Sequence, residues 1–297
     1  MIASTEQAKG LGIARASLSD GQKRGGRSME RRNFLATSLA ASALAINHPR
    51  ALMQGAQESG NRENREYYQL RRYVLTNGFQ RKLADDYFRD ALVPALNRLG
   101  ITPVGIFSVA IGPEMPAMYV LMPSPLAESL VNVELHLSQD ADYMKAGTPF
   151  LNAPAKEPAF VRMESWLLHA FEKMPRLRLP AASTTKSPRI FELRTYESPS
   201  DQDHKRKIEQ MCNGVSPIFE KAGFWDVFYG DTLVGSRLPN LIYMIGYESF
   251  SEHDKHWSAF QNSTEWKELS ADPRYTFEDI VSSRTVSFLT PTLYSQI

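Results

Sequence analysis

The residues best suited to chemistry sit at alternate positions of one short stretch, "FELRTYES" at 191–198: Glu192, Arg194 and Tyr196. A guanidinium at such a position grips a carboxylate or enolate through parallel hydrogen bonds, and a phenol donates to the same group or lies against a flat ring. The words return in "YQLRRYVL" at 68–75, which supplies Arg71 and Tyr73. Arg71, Tyr73, Glu192, Arg194 and Tyr196 are therefore the candidate ligand-binding residues. A plainer reading has each arginine neutralised by a nearby acid such as Glu192, Glu164 or Glu248. Catalysis would need, in addition, a titratable base facing the ligand. Glu192, Glu164 and His169 are the groups whose strand positions suit that role, and no catalytic residue is assigned.

Other chemistries find less support. His253 and His256 in "SEHDKHWSAF" stand three apart on a helix, with Asp254 beside them. Trp257 and Phe260 claim the buried face of that helix, so the histidines fall to solvent or to capping and no metal site is expected. Trp257 and Trp266 read as packing anchors. His136 and His169 could each offer an axial haem ligand, but neither has a partner at a supporting spacing. Cys212, the single cysteine, lies among Ile208, Met211, Val215 and Phe219 on an apolar helix face and reads as a buried thiol. The chain contains no glycine-rich phosphate loop, Cys-x-x-Cys, His-Glu-x-x-His or Gly-x-Ser-x-Gly. Nucleotide use, structural zinc and serine hydrolysis are disfavoured, and no cofactor is expected.

The elements that must position these residues are also spelled twice. Phe191 stands 123 positions after Tyr68, and Leu193 over Leu70, Arg194 over Arg71, Tyr196 over Tyr73, Pro217 over Pro94, Gly223 over Gly100, Gly235 over Gly112 and Pro239 over Pro116 keep that offset. A constant offset through strand, helix end and turn marks two copies of one unit. In each copy the periodicity gives βαββαβ, so the predicted fold is α+β: two tandem ferredoxin-like units forming an intramolecular dimeric α/β barrel. The expected organisation is an export signal region at 1–45, a flexible tether at 46–65, a divergent unit at 66–180, a proline-rich linker at 181–188 and a second unit at 189–297. Alternation puts Leu70 and Leu193 on one face of their strands and Arg71, Tyr73, Arg194 and Tyr196 on the other. Helices are expected to cover the leucine face, leaving the arginines and tyrosines in a shared chamber between the two sheets.

The N-terminal region reads as an address. Seven basic and three acidic residues precede Phe34, and a charge-free run "FLATSLAASALAI" follows, with small residues at Ala43 and Ala45. This run is well short of the roughly 20 residues of a membrane span, so no stable membrane span is expected. "ERRNFLA" resembles a twin-arginine signal, which implies a periplasmic or otherwise exported protein. The full chain carries a formal net charge of +1, and beyond Asn33 acids outnumber bases. No basic stripe remains to hold phosphates, so nucleic acid is not an expected partner.

"FELRTYES", "VSPIFEKAGF", "WSAFQNSTEWKEL" and "ADPRY", together with "YYQLRRY" and "LVPALNRLGI" in the first copy, resemble the NIPSNAP family within the dimeric α/β barrel superfamily. The resemblance covers nearly all of the second copy, is weaker in the first and excludes residues 1–65. It implies the fold and transfers no catalytic residues. The superfamily also holds haem-dependent and cofactor-free oxygenases, isomerases and simple binders, so the fold does not select an activity. The favoured expectation is a binder of a small, partly apolar, anionic molecule, with a homo-oligomer as a candidate assembly. The alternative is a cofactor-independent or haem-using monooxygenase or isomerase acting in the same chamber.

Replacing Arg31 and Arg32 by lysine is expected to trap the precursor in the cytoplasm, as read by fractionation. Mature protein is expected to begin between about Ala43 and Gln57, and unchanged export of the Lys-Lys variant would remove the twin-arginine reading.

Overall fold

The computed structural model describes residues 65–76 and 78–297. The expected export signal and all of the tether but Arg65 lie outside the described residues. Strand β1 (Tyr67–Val74) leads into helix α1 (Gly78–Tyr87), which continues through a π turn (Phe88–Leu92) into α2 (Val93–Arg98). Strands β2 (Gly105–Ile111) and β3 (Ala117–Ser124) follow. Four short helices come next: α3 (Ala127–Val131), α4 (Val133–Leu137), α5 (Ala141–Ala146) and α6 (Thr148–Leu151), and β4 (Arg162–Ala170) ends the first unit. A one-turn helix α7 (Ala181–Thr185) interrupts the expected linker.

The second unit repeats the order with β5 (Ile190–Glu197), α8 (Asp201–Gln210), a π turn (Met211–Val215), α9 (Ser216–Ala222), β6 (Trp225–Val234) and β7 (Asn240–Tyr247). Helices α10 (Phe250–Asn262), α11 (Thr264–Ser270) and α12 (Phe277–Ile280) precede the last strand, β8 (Ser283–Pro291). The start of α8 is fixed by Ser200, whose hydroxyl accepts the Asp203 N–H, with Asp201 and Asp203 in the first turn where the helix dipole favours negative charge. Its long run stops at Gly223, φ +97°, as the first-unit run stops at Gly100, φ +78°; both need the left-handed backbone that glycine adopts without strain.

Eight antiparallel strands close into one barrel in the order β1-β3-β2-β8-β5-β7-β6-β4. Each unit contributes a contiguous four-stranded sheet, and the seams are β2 with β8 and β4 with β6. Both seams carry a register shift, at Val109/Ile111 and at Leu167/Leu168. Such irregularities sharpen the local bend that closure requires.

The shared interior between the sheets exists, but its lining is the reverse of the expectation. Tyr68, Leu70, Phe107, Phe191, Leu193, Phe228 and Met244 fill it. Arg71 and Tyr73 point outward beneath the first unit's helices, and Arg194 and Tyr196 beneath the second's. An eight-stranded barrel has room for side chains and little besides, so the strands turn their greasy face inward. Polar and aromatic groups then meet the helix layer, where side chains on helices supply partners.

A fragment of residues 189–297 would expose the interior face of Phe191 and Leu193 together with the free edges of β6 and β8. It is expected to self-associate or precipitate. A stable monomer by sedimentation would count against interdependence of the two sheets.

Candidate functional site

On the outward face of β5, Glu192, Arg194 and Tyr196 form a row. Glu192 has no solvent exposure, and its carboxylate accepts hydrogen bonds from Arg194 Nε at 2.6 Å, Trp257 Nε1 at 3.2 Å and Tyr247 Oη at 3.3 Å. Arg194 reaches the other way as well, donating from Nη1 to Tyr196 Oη at 3.0 Å, and Tyr196 is bonded to Tyr243 Oη at 3.0 Å. The guanidinium lies over Trp257, 4.0 Å from the ring centroid. Burial opposes its charge, but Tyr243, Tyr196 and Glu192 outweigh that and keep it firmly protonated. Burial pushes the Tyr243 phenol well above its ordinary value, so it stays a neutral hydrogen-bonding group.

Beyond this row, between the sheet and the helices, lies a cavity of about 190 Å³. Its wall is aromatic and aliphatic: Tyr196, Phe219, Tyr243, Trp257, Phe260 and Trp266, with Met211 and Val215 from the π turn. Three cations line it, Arg194, Lys207 and Arg284. Arg194 is matched by Glu192. Lys207 is buried; among the described residues its Nζ hydrogen-bonds only to Gln210 Oε1, at 2.7 Å, and it lies 5.1 and 5.4 Å from the Tyr196 and Phe277 ring centroids. Burial, with repulsion from Arg194, lowers its amine to a pKa of about 7. Arg284, at the exposed rim, makes no ion pair among the described residues and stands 5.9 Å over Phe277.

Copy one fills the equivalent space. Tyr73 packs edge-on against Phe88, Phe150 and Phe160, and Phe150 stacks on Tyr87 with ring centroids 4.0 Å apart. Arg71 is spent on Glu134 Oε1 at 2.5 Å and Gln69 Oε1 at 3.0 Å. Of the five candidate residues, the fold thus brings Glu192, Arg194 and Tyr196 together and leaves Arg71 and Tyr73 in a separate, occupied core.

The candidate bases do not converge. Glu164 pairs with Arg72 near the barrel mouth, where a polar recess of about 70 Å³ also meets Tyr119 and Trp166. His169, on β4, stacks on Tyr67 of β1. His253 lies 3.6 Å from Glu192 but does not reach the cavity wall. The cavity, at about 190 Å³, is little larger than an apolar void that holds one benzene ring and is too small for a haem. Among the described residues no cluster of three His, Cys, Asp or Glu side chains could hold a metal.

Lys207 was not among the sequence candidates. Its signal is positional: Lys207, Met211 and Val215 follow one another at helical spacing, so a charged residue sits on a buried stripe. The π turn is no such signal, because both copies have it at the same offset.

Arg194→Ala strands Glu192 without its strongest partner and is expected to cost about 3–5 kcal/mol in denaturant unfolding. Adding Glu192→Gln should restore much of that loss. A near-neutral single variant would mean the pair contributes no structure.

Comparison with known proteins bears on the fold. Residues 191–296 match the NIPSNAP family profile. A protein from Lactobacillus acidophilus NCFM, provisionally assigned as a monooxygenase, superposes with a TM-score of 0.53 at 13% identity, covering 78% of this chain and 97% of its own. A NIPSNAP family protein from Agrobacterium tumefaciens strain C58 aligns with 37% of this chain and 91% of its own at 21% identity and a TM-score of 0.33. An uncharacterised NIPSNAP-like domain protein from Burkholderia xenovorans aligns with 36% and 88% at 18% identity and a TM-score of 0.32. No curated protein matches the sequence. The family match is thus carried by residues 191–296, and the likeness to the Lactobacillus protein extends over both units as a shared fold.

Proposed function

We propose that the second unit binds a small aromatic carboxylate in the cavity between its sheet and its helices. The observation that carries this reading is Lys207, a buried amine facing an aromatic cavity, which no carboxylate among the described residues neutralises. An anion entering the cavity would supply that charge and draw a proton onto the amine. The volume of about 190 Å³ suits one ring with a short polar substituent. Tyr196, Tyr243 and Trp257 give the ring flat surfaces to pack against. Arg284 at the rim adds positive charge along the approach. The exported location implied by the N-terminal sequence belongs to the same proposal, and would place the ligand outside the cytoplasm.

Titration calorimetry with benzoate, and with benzamide as its neutral isostere, tests the reading. Benzoate is expected to bind at least about tenfold more tightly, the value of one charge-assisted hydrogen bond. Lys207→Met should remove that preference. Since the anion favours protonated Lys207, benzoate affinity should fall as pH rises through about 7. Equal affinity for the two ligands, or indifference to Lys207→Met, would overturn it.

A further inference from the structure

The two copies differ at the cavity in a correlated way. At the position 123 residues before Lys207 stands Ala84, fully buried, and at the position before Met211 stands Phe88, whose ring occupies the space. Amine and cavity occur together in the second unit, and at the matching place the first has Ala84 and packed rings instead. An amine needed only for packing would not require an open volume at its tip.

We propose that Lys207 is a nucleophile, forming an imine with the carbonyl carbon of an aromatic 2-oxo acid or carboxylated aromatic aldehyde held in the cavity. This rests on the reading of the cavity as a carboxylate site. The Nζ lone pair attacks the carbonyl carbon, and the C=O π electrons move to oxygen, which takes a proton. Nitrogen gives up one N–H proton to leave the neutral carbinolamine; its hydroxyl then takes a second proton and departs as water while the nitrogen lone pair forms the C=N bond, and the remaining N–H proton passes to solvent. Amine and carbonyl give imine and water, with no oxidant, reductant or cofactor.

The surroundings favour each part. A nucleophilic lysine must be neutral part of the time, and Arg194 from β5, a cation on the same cavity wall, opposes protonation of Lys207; Arg284 from β8, Tyr196 and Tyr243 complete the polar lining. Glu192, the one nearby acid in this row, is turned away and held by Arg194, Trp257 and Tyr247. The rings of Tyr196 and Phe277 favour the protonated amine in part, but burial and Arg194 outweigh them and leave the amine near half protonation at neutral pH. Gln210 Oε1 accepts one N–H and so orients the amine. Tyr196 Oη, on the same wall and polarised by Arg194 Nη1, is the proton donor for the departing oxygen.

The test treats the full chain with benzoylformate and cyanoborohydride near pH 7, followed by intact mass and peptide mapping. Lys207 is expected to be alkylated about tenfold or more faster than any surface lysine, because its free-amine fraction is far larger. Excess benzoate should suppress labelling at Lys207 alone. Lys207→Arg, which keeps the charge but forms no imine, should bind benzoate and lose the adduct. Benzoate binding without preferential labelling of Lys207 in the wild-type chain overturns the imine and leaves the binding reading intact. Failure to bind benzoate overturns the binding reading, and fast labelling of Lys207 that benzoate does not suppress supports a nucleophile but overturns its link to a carboxylate site.

Discussion

Closing eight strands into a ring leaves an interior just wide enough for the side chains that point into it. That limit decides where every polar residue of the strands can go. Tyr68, Leu70, Phe107, Phe191, Leu193 and Phe228 take the available space, so the alternate positions must face the helix layer. Glu192 is then buried beneath α10 with no exposure at all, and an isolated charge there would be prohibitive. Its three hydrogen bonds fix Arg194, Tyr247 and Trp257 in turn. Arg194 fixes Tyr196, and Tyr196 meets Tyr243. The polar groups that the sheet gives to the cavity form one connected row that begins at one carboxylate.

The first unit solves the same problem without leaving a cavity. Gln69 stands where Glu192 would, Arg71 reaches outward to Glu134, and the stack of Tyr87 on Phe150 closes the volume beneath the helices. Packing at normal interior density is the ordinary outcome, since an unfilled void forfeits contacts along its whole lining. The second unit departs from that outcome around Lys207 and Met211, beside the aromatic ladder of Tyr229, Tyr243 and Phe219. It keeps a costly arrangement, a buried amine next to a guanidinium, in the place where space is also retained. A cost kept in one copy and avoided in the other points to use.

Much of the architecture was legible. The constant offset from Tyr68 and Phe191 onward gave the duplication, the element order and the barrel, and the two π turns fall at that same offset. The orientation of the strands was not legible, because alternation separates two faces without saying which meets a helix and which meets the other sheet. Strands β3 and β7 are buried along their whole length, so no solvent-facing side was there to break the tie. Glu192, Arg194 and Tyr196 were found because their strand register is local. Lys207 is not legible as a buried group, because a lysine in "DQDHKRKIEQ" reads as part of a solvated face and only the tertiary covering by Tyr196 and Phe277 shows otherwise. The break-up of the first unit's second helical region into four short helices had a sequence trace in its divergence, but its geometry did not.

The two seams, β2 with β8 and β4 with β6, join halves that belong to one polypeptide. Two identical subunits meeting at such seams would carry every substitution twice, once on each side of the two-fold axis. A void opened in one would open in the other, doubling the loss of packing. Tandem linkage removes that coupling. One half is free to become a well-filled brace while its sibling tolerates an open cavity beside a buried amine. Ala84 and Lys207, at matching places in the duplicated sequence, are what such a division of labour looks like at the level of single side chains.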